Sequence, residues 1–302
     1  MSVRRAAFAM ALLLGMQPVA TDVYLPALPL LTRALGAPIA SAQLTMSALI
    51  LAFGLSQLVL GPVADRFGRR PVLLGGLALF TLAGLGSAFA EHIGTLVIWR
   101  AAQGVALAAA VVCARAMVRD LYEPVTGARV MSLAMSGLAV IAIGGPMIGG
   151  AAAGAFGWRG PLVLVALCGL TSWVFIATCV PETARLPNRT ATSPAVLLRN
   201  WMAMLRHPTF RAWALLVSCS FGGLFTVLAA SSFVYIEVLG LSSTAFGLTL
   251  AWGGGVYLVA TFVCRRWIHL HGMRSAVIRG AAFTLAGGLL ALVATWVQQG
   301  AL

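Results

Sequence analysis

Two charged side chains, Asp22 and Arg100, stand well inside long apolar runs. An ionised carboxylate held in hydrocarbon costs several kcal/mol, so a residue like Asp22 usually faces a cavity and has a task. A carboxyl in that setting suits the uptake and release of protons. The plainer alternative puts Asp22 at the outer interface, capping a helix that Pro26 interrupts. Arg100 admits two readings as well, a partner for Asp22 or a side chain that snorkels to the headgroups. With a helical rise of about 1.5 Å per residue, Asp22 lies roughly 24 Å up from Ala6 and Arg100 roughly 7 Å down from Thr95. In a hydrocarbon core of about 30 Å both then sit in the outer third, where they could pair or exchange partners.

Other chemistry is thinly supplied. Cys113, Cys168, Cys179, Cys219 and Cys264 fall inside or at the edge of apolar runs and form no Cys-x-x-Cys or Cys/His cluster. They read as small apolar packing residues, and no metal site is expected. His269 and His271, two apart, would not share a helix face and read as solvated loop residues. An intramembrane enzyme would need a nucleophile with its base, or a metal cluster, at one depth. No His lies in an apolar run and no carboxylates are paired, so no catalytic residue and no enzyme activity are expected.

The elements that must hold Asp22 and Arg100 are membrane helices. Of the 302 residues, 61% are hydrophobic and 9% charged, with a mean hydropathy of +0.98. Soluble domains run nearer a quarter charged. The net charge of +13 comes from arginine alone. A nucleic-acid domain would carry a basic face on a soluble fold. Here the arginines sit in short breaks between apolar runs, as in cytoplasmic membrane loops, so no nucleic-acid partner is expected. Runs long enough to cross a bilayer recur nine times, at about 6–31, 42–63, 71–90, 95–117, 130–155, 161–180, 212–236, 244–263 and 276–297. The first outruns a signal-sequence core and ends in a poor cleavage site, so it reads as an uncleaved helix. Pro18, Pro26 and Pro29 predict that it kinks or ends early.

Orientation follows from the arginines. With the N-terminus in the cytoplasm, seventeen fall on the inner side and only Arg33, Arg100 and Arg159 on the outer. Between the sixth and seventh runs lies the longest polar stretch, Pro181 to Arg211. It reads as a basic cytoplasmic linker near anionic lipid, with Trp201 to Arg211 as a candidate surface helix. Glu91, Asp120, Glu123 and Glu182 read as loop charges, and Glu237 as a solvated outer rim.

Gly61 to Arg70 reads Gly-Pro-Val-Ala-Asp-Arg-Phe-Gly-Arg-Arg. Four charges squeezed between two apolar runs predict a tight turn at a membrane surface. Gly61, Gly68, Asp65-Arg66 and Arg69-Arg70 fall in register with the signature loop between helices two and three of the major facilitator superfamily, which this stretch resembles. Arg100-Ala-Ala-Gln103-Gly104 resembles the superfamily's fourth-helix Arg-x-x-Gln-Gly signature, associated with proton transfer. Gly145-Pro146-Met-Ile-Gly149-Gly150 resembles the Gly-Pro-x-x-Gly-Gly element of its antiporter signature, although Ile141 stands where the family usually has Gly. Asp22-Val-Tyr24-Leu25-Pro26-Ala narrows the resemblance to the bicyclomycin/chloramphenicol-resistance (Bcr/CflA) drug:proton antiporters. A degenerate copy of the charged loop, Cys264 to Arg274, lacks the Asp and one Gly and reads as a topology signal.

The resemblance implies an all-α polytopic membrane protein of the major facilitator fold. Residues 1–180 would form a six-helix bundle, 181–211 the linker, and 212–302 a partial second bundle of three helices, as in a C-terminally truncated chain. It implies proton-coupled efflux of small hydrophobic or amphipathic compounds such as antibiotics across the inner membrane. No cofactor beyond the proton gradient is implied, and the partners would be substrate, protons and the bilayer around a monomer. Asp22 and Arg100 would carry proton coupling, and Gly61 to Arg70 would couple it to rocking of the bundles. In the family, Asp65 and Arg66 would lock against the eleventh helix, which the nine runs do not include. Asp120, at the inner end of the fourth helix, is a nearer partner for Arg69. Tyr24, Gln103, Phe221 and Phe225 are candidates to line a substrate cavity. The rival readings are a proton symporter for a small metabolite, which Gly-Pro-x-x-Gly-Gly opposes, and an inactive remnant.

Overall fold

Prolines and glycines set where the helices of this chain begin and end. In the computed structural model, which describes residues 2–183 and 192–299, the first apolar run is three pieces. Helix α1 spans Val3–Asp22, a 3-10 turn covers Leu25–Ala27, and α2 spans Leu28–Leu35. Pro26 and Pro29 stand at the starts of the second and third pieces, where a missing N–H costs least. Gly36, at φ 57°, closes α2 in the left-handed conformation.

The remaining helices are α3 (Ile39–Phe67), α4 (Arg69–Ala88), α5 (Ile93–Leu121), α6 (Pro124–Phe156), α7 (Arg159–Cys179), α8 (Pro194–Arg206) and α9 (Pro208–Phe233). A π-helical turn, Val234–Val238, extends α9, and helical backbone (α10) then runs Ser243–Gln299 with a break at Gly272. Among the described residues eight spans are long and apolar enough to cross a membrane. The ninth expected run, 276–297, falls in the helical backbone after Gly272. The protein is a multi-pass membrane protein.

Two expectations need correction. Gly61 to Arg70 is not a loop, because α3 continues through Pro62 to Phe67 and α4 begins at Arg69. The whole reversal is made by Gly68, at φ 100° and ψ 153°. The stretch from Pro181 to Arg211 is not simply a linker either. It contains α8, which starts at Pro194 rather than at Trp201 and stops at His207, the residue that Pro208 keeps out of the helical conformation. The degenerate copy around residue 272 has the same form as the first turn. Helix runs up to His271 and resumes directly, with only Gly272 at positive φ (76°).

Residues Met1–Trp252 form one compact unit and Gly253–Leu302 another. In the first unit α1 packs against α6, α3 and α4 against α5, and α4 against α7. A buried cluster between α1, α4, α5 and α6 centres on Met10, Leu13, Leu73, Leu77, Leu107 and Met117. A second surrounds Tyr24, Leu28 and Leu31 with Phe233 and Phe246. Helix α9 is almost wholly exposed from Pro208 to Leu224, whereas Ser231, Ser232 and Phe233 near its other end are buried.

Lipid tails provide no hydrophobic drive between helices, so close approach through small residues holds them together. At Gly104 a Cβ would overlap the Leu49 carbonyl oxygen, and at Gly76 it would overlap the Ala109 methyl. Gly104→Val is expected to destabilise the α3–α5 contact by about 1–3 kcal/mol through overpacking. The measurement is an earlier melting transition of the detergent-solubilised protein. Gly75→Ala, at a position with nothing within 4 Å of the added methyl, is expected not to lower it.

Candidate functional site

Arg100 lies near the start of α5 and is fully buried, with 0% of its surface exposed. It therefore does not snorkel outward. Its Nη1 donates to Gln103 Oε1 at 2.6 Å, and its Nη2 donates to the Ala20 carbonyl at 2.8 Å. Met46 Sδ lies 3.5 Å from Nη2. The guanidinium carbon sits 4.4 Å from the centre of the Tyr24 ring, whose π face attracts a cation. Tyr24 is itself fully buried, its hydroxyl 3.0 Å from Thr45 Oγ1. Thr45 spends its own proton on the Ala42 carbonyl, so Tyr24 is the donor. Among the described residues no carboxylate pairs with Arg100, and Arg100 Nε and Gln103 Nε2 have no hydrogen-bond partner.

Asp22 ends α1 two residues beyond the carbonyl that Arg100 holds. It is partly buried and accepts a 2.7 Å hydrogen bond from the Thr21 hydroxyl. The structure thus brings Asp22, Tyr24, Arg100 and Gln103 to one end of α1 without forming an Asp22–Arg100 ion pair. The other two cavity candidates are elsewhere. Phe221 and Phe225 stack on each other, 6.2 Å apart, on α9. They precede Phe233, the α9 residue in the Tyr24 cluster, by roughly 18 and 12 Å along the helix.

The second charged centre surrounds the Gly68 turn. Arg69 is buried and binds Asp65 of α3 through Nη1 and Asp120 of α5 through Nε, the latter at 3.1 Å. The expected Asp120–Arg69 contact is present. Arg70 Nη2 donates to the Ala177 carbonyl at 2.7 Å. Glu182 lies in the loop after α7, as expected, but it is not simply solvated, because its carboxylate accepts from the backbone N–H of Arg69 at 3.0 Å and of Arg70 at 3.1 Å. It supplies the anion that the first turn of α4 lacks. A Cβ on Gly68 would meet the Glu182 carboxylate, so the position needs glycine for both its φ and its space. Arg66 Nη1 donates to the Thr192 hydroxyl.

The third element is the middle of α6. Gly145, Pro146, Gly149 and Gly150 are all buried there. A Cβ on Gly149 would overlap the Val23 carbonyl, and one on Gly150 the Ser243 carbonyl at the start of α10. Gly247 in turn meets the Pro146 carbonyl. The element is therefore wedged between α1 and α10. Ile141, the departure noted in this element, is met by Gly15, whose missing side chain leaves room for its Cδ1.

The profile of the Major Facilitator Superfamily matches residues 10–302. The chain belongs to that superfamily. Within it the chain is 26% identical to the bicyclomycin resistance protein homolog of Haemophilus influenzae, over 99% of this chain and 76% of that one. It is 32% identical to multidrug resistance protein D of Escherichia coli, over 78% of this chain and 58% of that one. The chain spans about two thirds of the length of the curated relatives it matches. Its fold matches a bacterial homolog of the human lysosomal transporter Spinster, in an inward-facing and occupied conformation, with a TM-score of 0.71 at 18% identity, covering 89% of this chain and 62% of that one.

This member of the superfamily also holds partners that no spacing in the sequence announces. Glu182 and Thr192 reach the Gly68 turn from more than a hundred residues away. Glu237 is not simply a solvated rim, because its carboxylate lies 3.6 Å from Arg33 at the end of α2. Pro181 and Thr183 around Glu182 were its only local signal, a short polar break after α7.

Glu182→Ala is expected to cost about 0.5–2 kcal/mol, the usual range for losing a side-chain cap. Hydrogen exchange should report it as lost protection at the amides of Arg69 and Arg70. Unchanged protection there would contradict the capping role.

Proposed function

We propose that this chain is the proton-coupling part of a Bcr/CflA-type drug:proton antiporter that exports small hydrophobic or amphipathic compounds. Residues 1–180 form its six-helix bundle, 181–211 the cytoplasmic linker and 212–302 the first part of the second bundle. The N-terminus lies in the cytoplasm and the bilayer is the inner membrane, as the distribution of arginines supports. Transport needs no cofactor beyond the proton gradient, and the unit is a monomer.

The observation that carries the reading is Arg100. A fully buried cation with a carbonyl, an amide and a ring for neighbours, and with Nε unmet, is a group waiting for negative charge. Asp22 supplies that charge when ionised and withdraws it when protonated. The change alters what holds the end of α1 against α5. Because α1 is wedged against α6 at Val23 and Gly149, that change reaches the contact between the two halves. Two named relatives, a bicyclomycin resistance homolog and a multidrug resistance protein, support export over uptake. The Gly-Pro-x-x-Gly-Gly element supports it too, against a proton symporter for a metabolite.

The test is proton-coupled efflux in everted membrane vesicles, with antibiotics and dyes added while a pH-sensitive probe reports flux. The unaltered chain is expected to give substrate-dependent proton movement, and Asp22→Asn is expected to reduce it to background. Arg100→Lys is expected to do the same, since an ammonium cannot reproduce the planar fork that spans Gln103 and Ala20. Flux in Asp22→Asn equal to the unaltered chain would overturn the role of Asp22. No flux in any form, with normal membrane insertion, would favour an inactive remnant.

A further inference from the structure

The helix between the two halves has an apolar face that the transport reading leaves unassigned. Helix α8 has 13 residues and buries none of them. Leu198, Met202 and Leu205 recur at the spacing of one helix face, and they are 58%, 47% and 55% exposed. Arg199 and Arg206, seven apart, stand together along one border of that stripe, and Trp201 stands on the other.

Both ends of α8 are held where spans leave the membrane. At its start, the Thr192 hydroxyl accepts from Arg66 in the last turn of α3. At its far end a single extended residue, His207 (φ −76°, ψ 119°), joins it to α9. A 13-residue helix is roughly 20 Å long. Pinned at both ends, it lies along the surface rather than projecting from it. Charge complementarity names what it lies on, for between Thr183 and Ile236 the sequence holds five arginines and no acidic residue.

We propose that α8 is an anionic-lipid-binding element. Leu198, Met202 and Leu205 enter the acyl boundary of the leaflet on the Gly68 side, and Arg199 and Arg206 sit on its phosphate headgroups. Through Thr192 and Arg66, the charge of that leaflet bears on the Gly68 turn. A protein docking on the same face is the outcome the test must separate.

The test uses the full chain with its five cysteines replaced by alanine, reconstituted in bilayers. Single spin labels are placed at Leu198→Cys, Asn200→Cys, Met202→Cys, Ala203→Cys and Leu205→Cys. In bilayers containing phosphatidylglycerol, the labels at 198, 202 and 205 are expected to gain access to oxygen and lose access to a polar nickel reagent, relative to 200 and 203. In phosphatidylcholine alone this pattern should shift toward shallower depth. Arg199→Gln with Arg206→Gln should remove the difference between the two lipids. Water access at all five positions, a depth indifferent to lipid charge, or labels immobilised yet closed to oxygen would each overturn the proposal. The readout does not involve transport, so it stands apart from the result with Asp22.

Discussion

A guanidinium removed from water among apolar helices is the constraint on which the rest of this structure depends. Taking such a charge out of water without compensation is far costlier than any single packing contact can offset. The protein compensates Arg100 without a carboxylate, using the Gln103 amide, the face of Tyr24 and the Ala20 carbonyl. That carbonyl is available because α1 ends at Asp22, leaving its last carbonyls without onward partners in the helix. Pro26, four residues after Asp22, has no N–H for the Asp22 carbonyl, so the ladder does not resume beyond this end. The end of α1 thus leaves the acceptor, the acceptor holds the arginine, and the arginine ties α5 to α1.

The Gly68 centre solves a different problem with the same economy. One residue reverses the chain, so the charges that look like a loop in the sequence belong to two helix ends. Arg69 is shared by Asp65 and Asp120, which ties α3, α4 and α5 together at that end. Glu182, arriving after α7, closes the ring by neutralising the start of α4. The helix break at Gly272 repeats the backbone reversal without the acidic partners. The repeat therefore preserves the geometry of the turn and drops its electrostatics.

What could be read from the sequence follows the range of the forces involved. Apolar runs, prolines and arginine counts are local, so the spans, the break after Asp22 and the isolation of Arg100 among apolar residues were all legible before any fold. Asp120 was found because its place at a helix end implied one height with Arg69. Glu182 and Thr192 were not, because their partners are fixed by how α7 and α8 return to the turn, which no spacing encodes. The extent of α3 was also missed. Pro62 and the charges beyond it suggest a loop, yet a helix can carry both where a glycine stops it one turn later. Ile141 shows the limit of motif reading most clearly. The expected glycine is missing from α6, and the space it would have left is provided by Gly15 on the facing helix.

That exchange bears on how α6 is seated between its neighbours. The contact of α6 with α1 runs through Gly137 and Ala11, Ile141 and Gly15, and Gly149 and Val23, a ridge with steps of four and then eight residues on each helix. On its other side α6 meets α10 through Gly150 and Gly247. Close-packed surfaces that interlock in this way leave little room for one helix to slide along the other. The bulk of Ile141 fits only one seated register against Gly15, whereas two facing glycines would tolerate sliding. On the α10 side the glycines meet backbone carbonyls instead, and the Thr244 hydroxyl adds a 3.4 Å hydrogen bond to the Gly150 carbonyl. Asp22 ends α1 beside the Val23–Gly149 contact, and Arg100 reaches the same end of α1 from α5 through the Ala20 carbonyl. Helices α5, α1 and α6 are thus linked in series around the end of α1, through the Arg100–Ala20 hydrogen bond and the close approach of Gly149 to Val23.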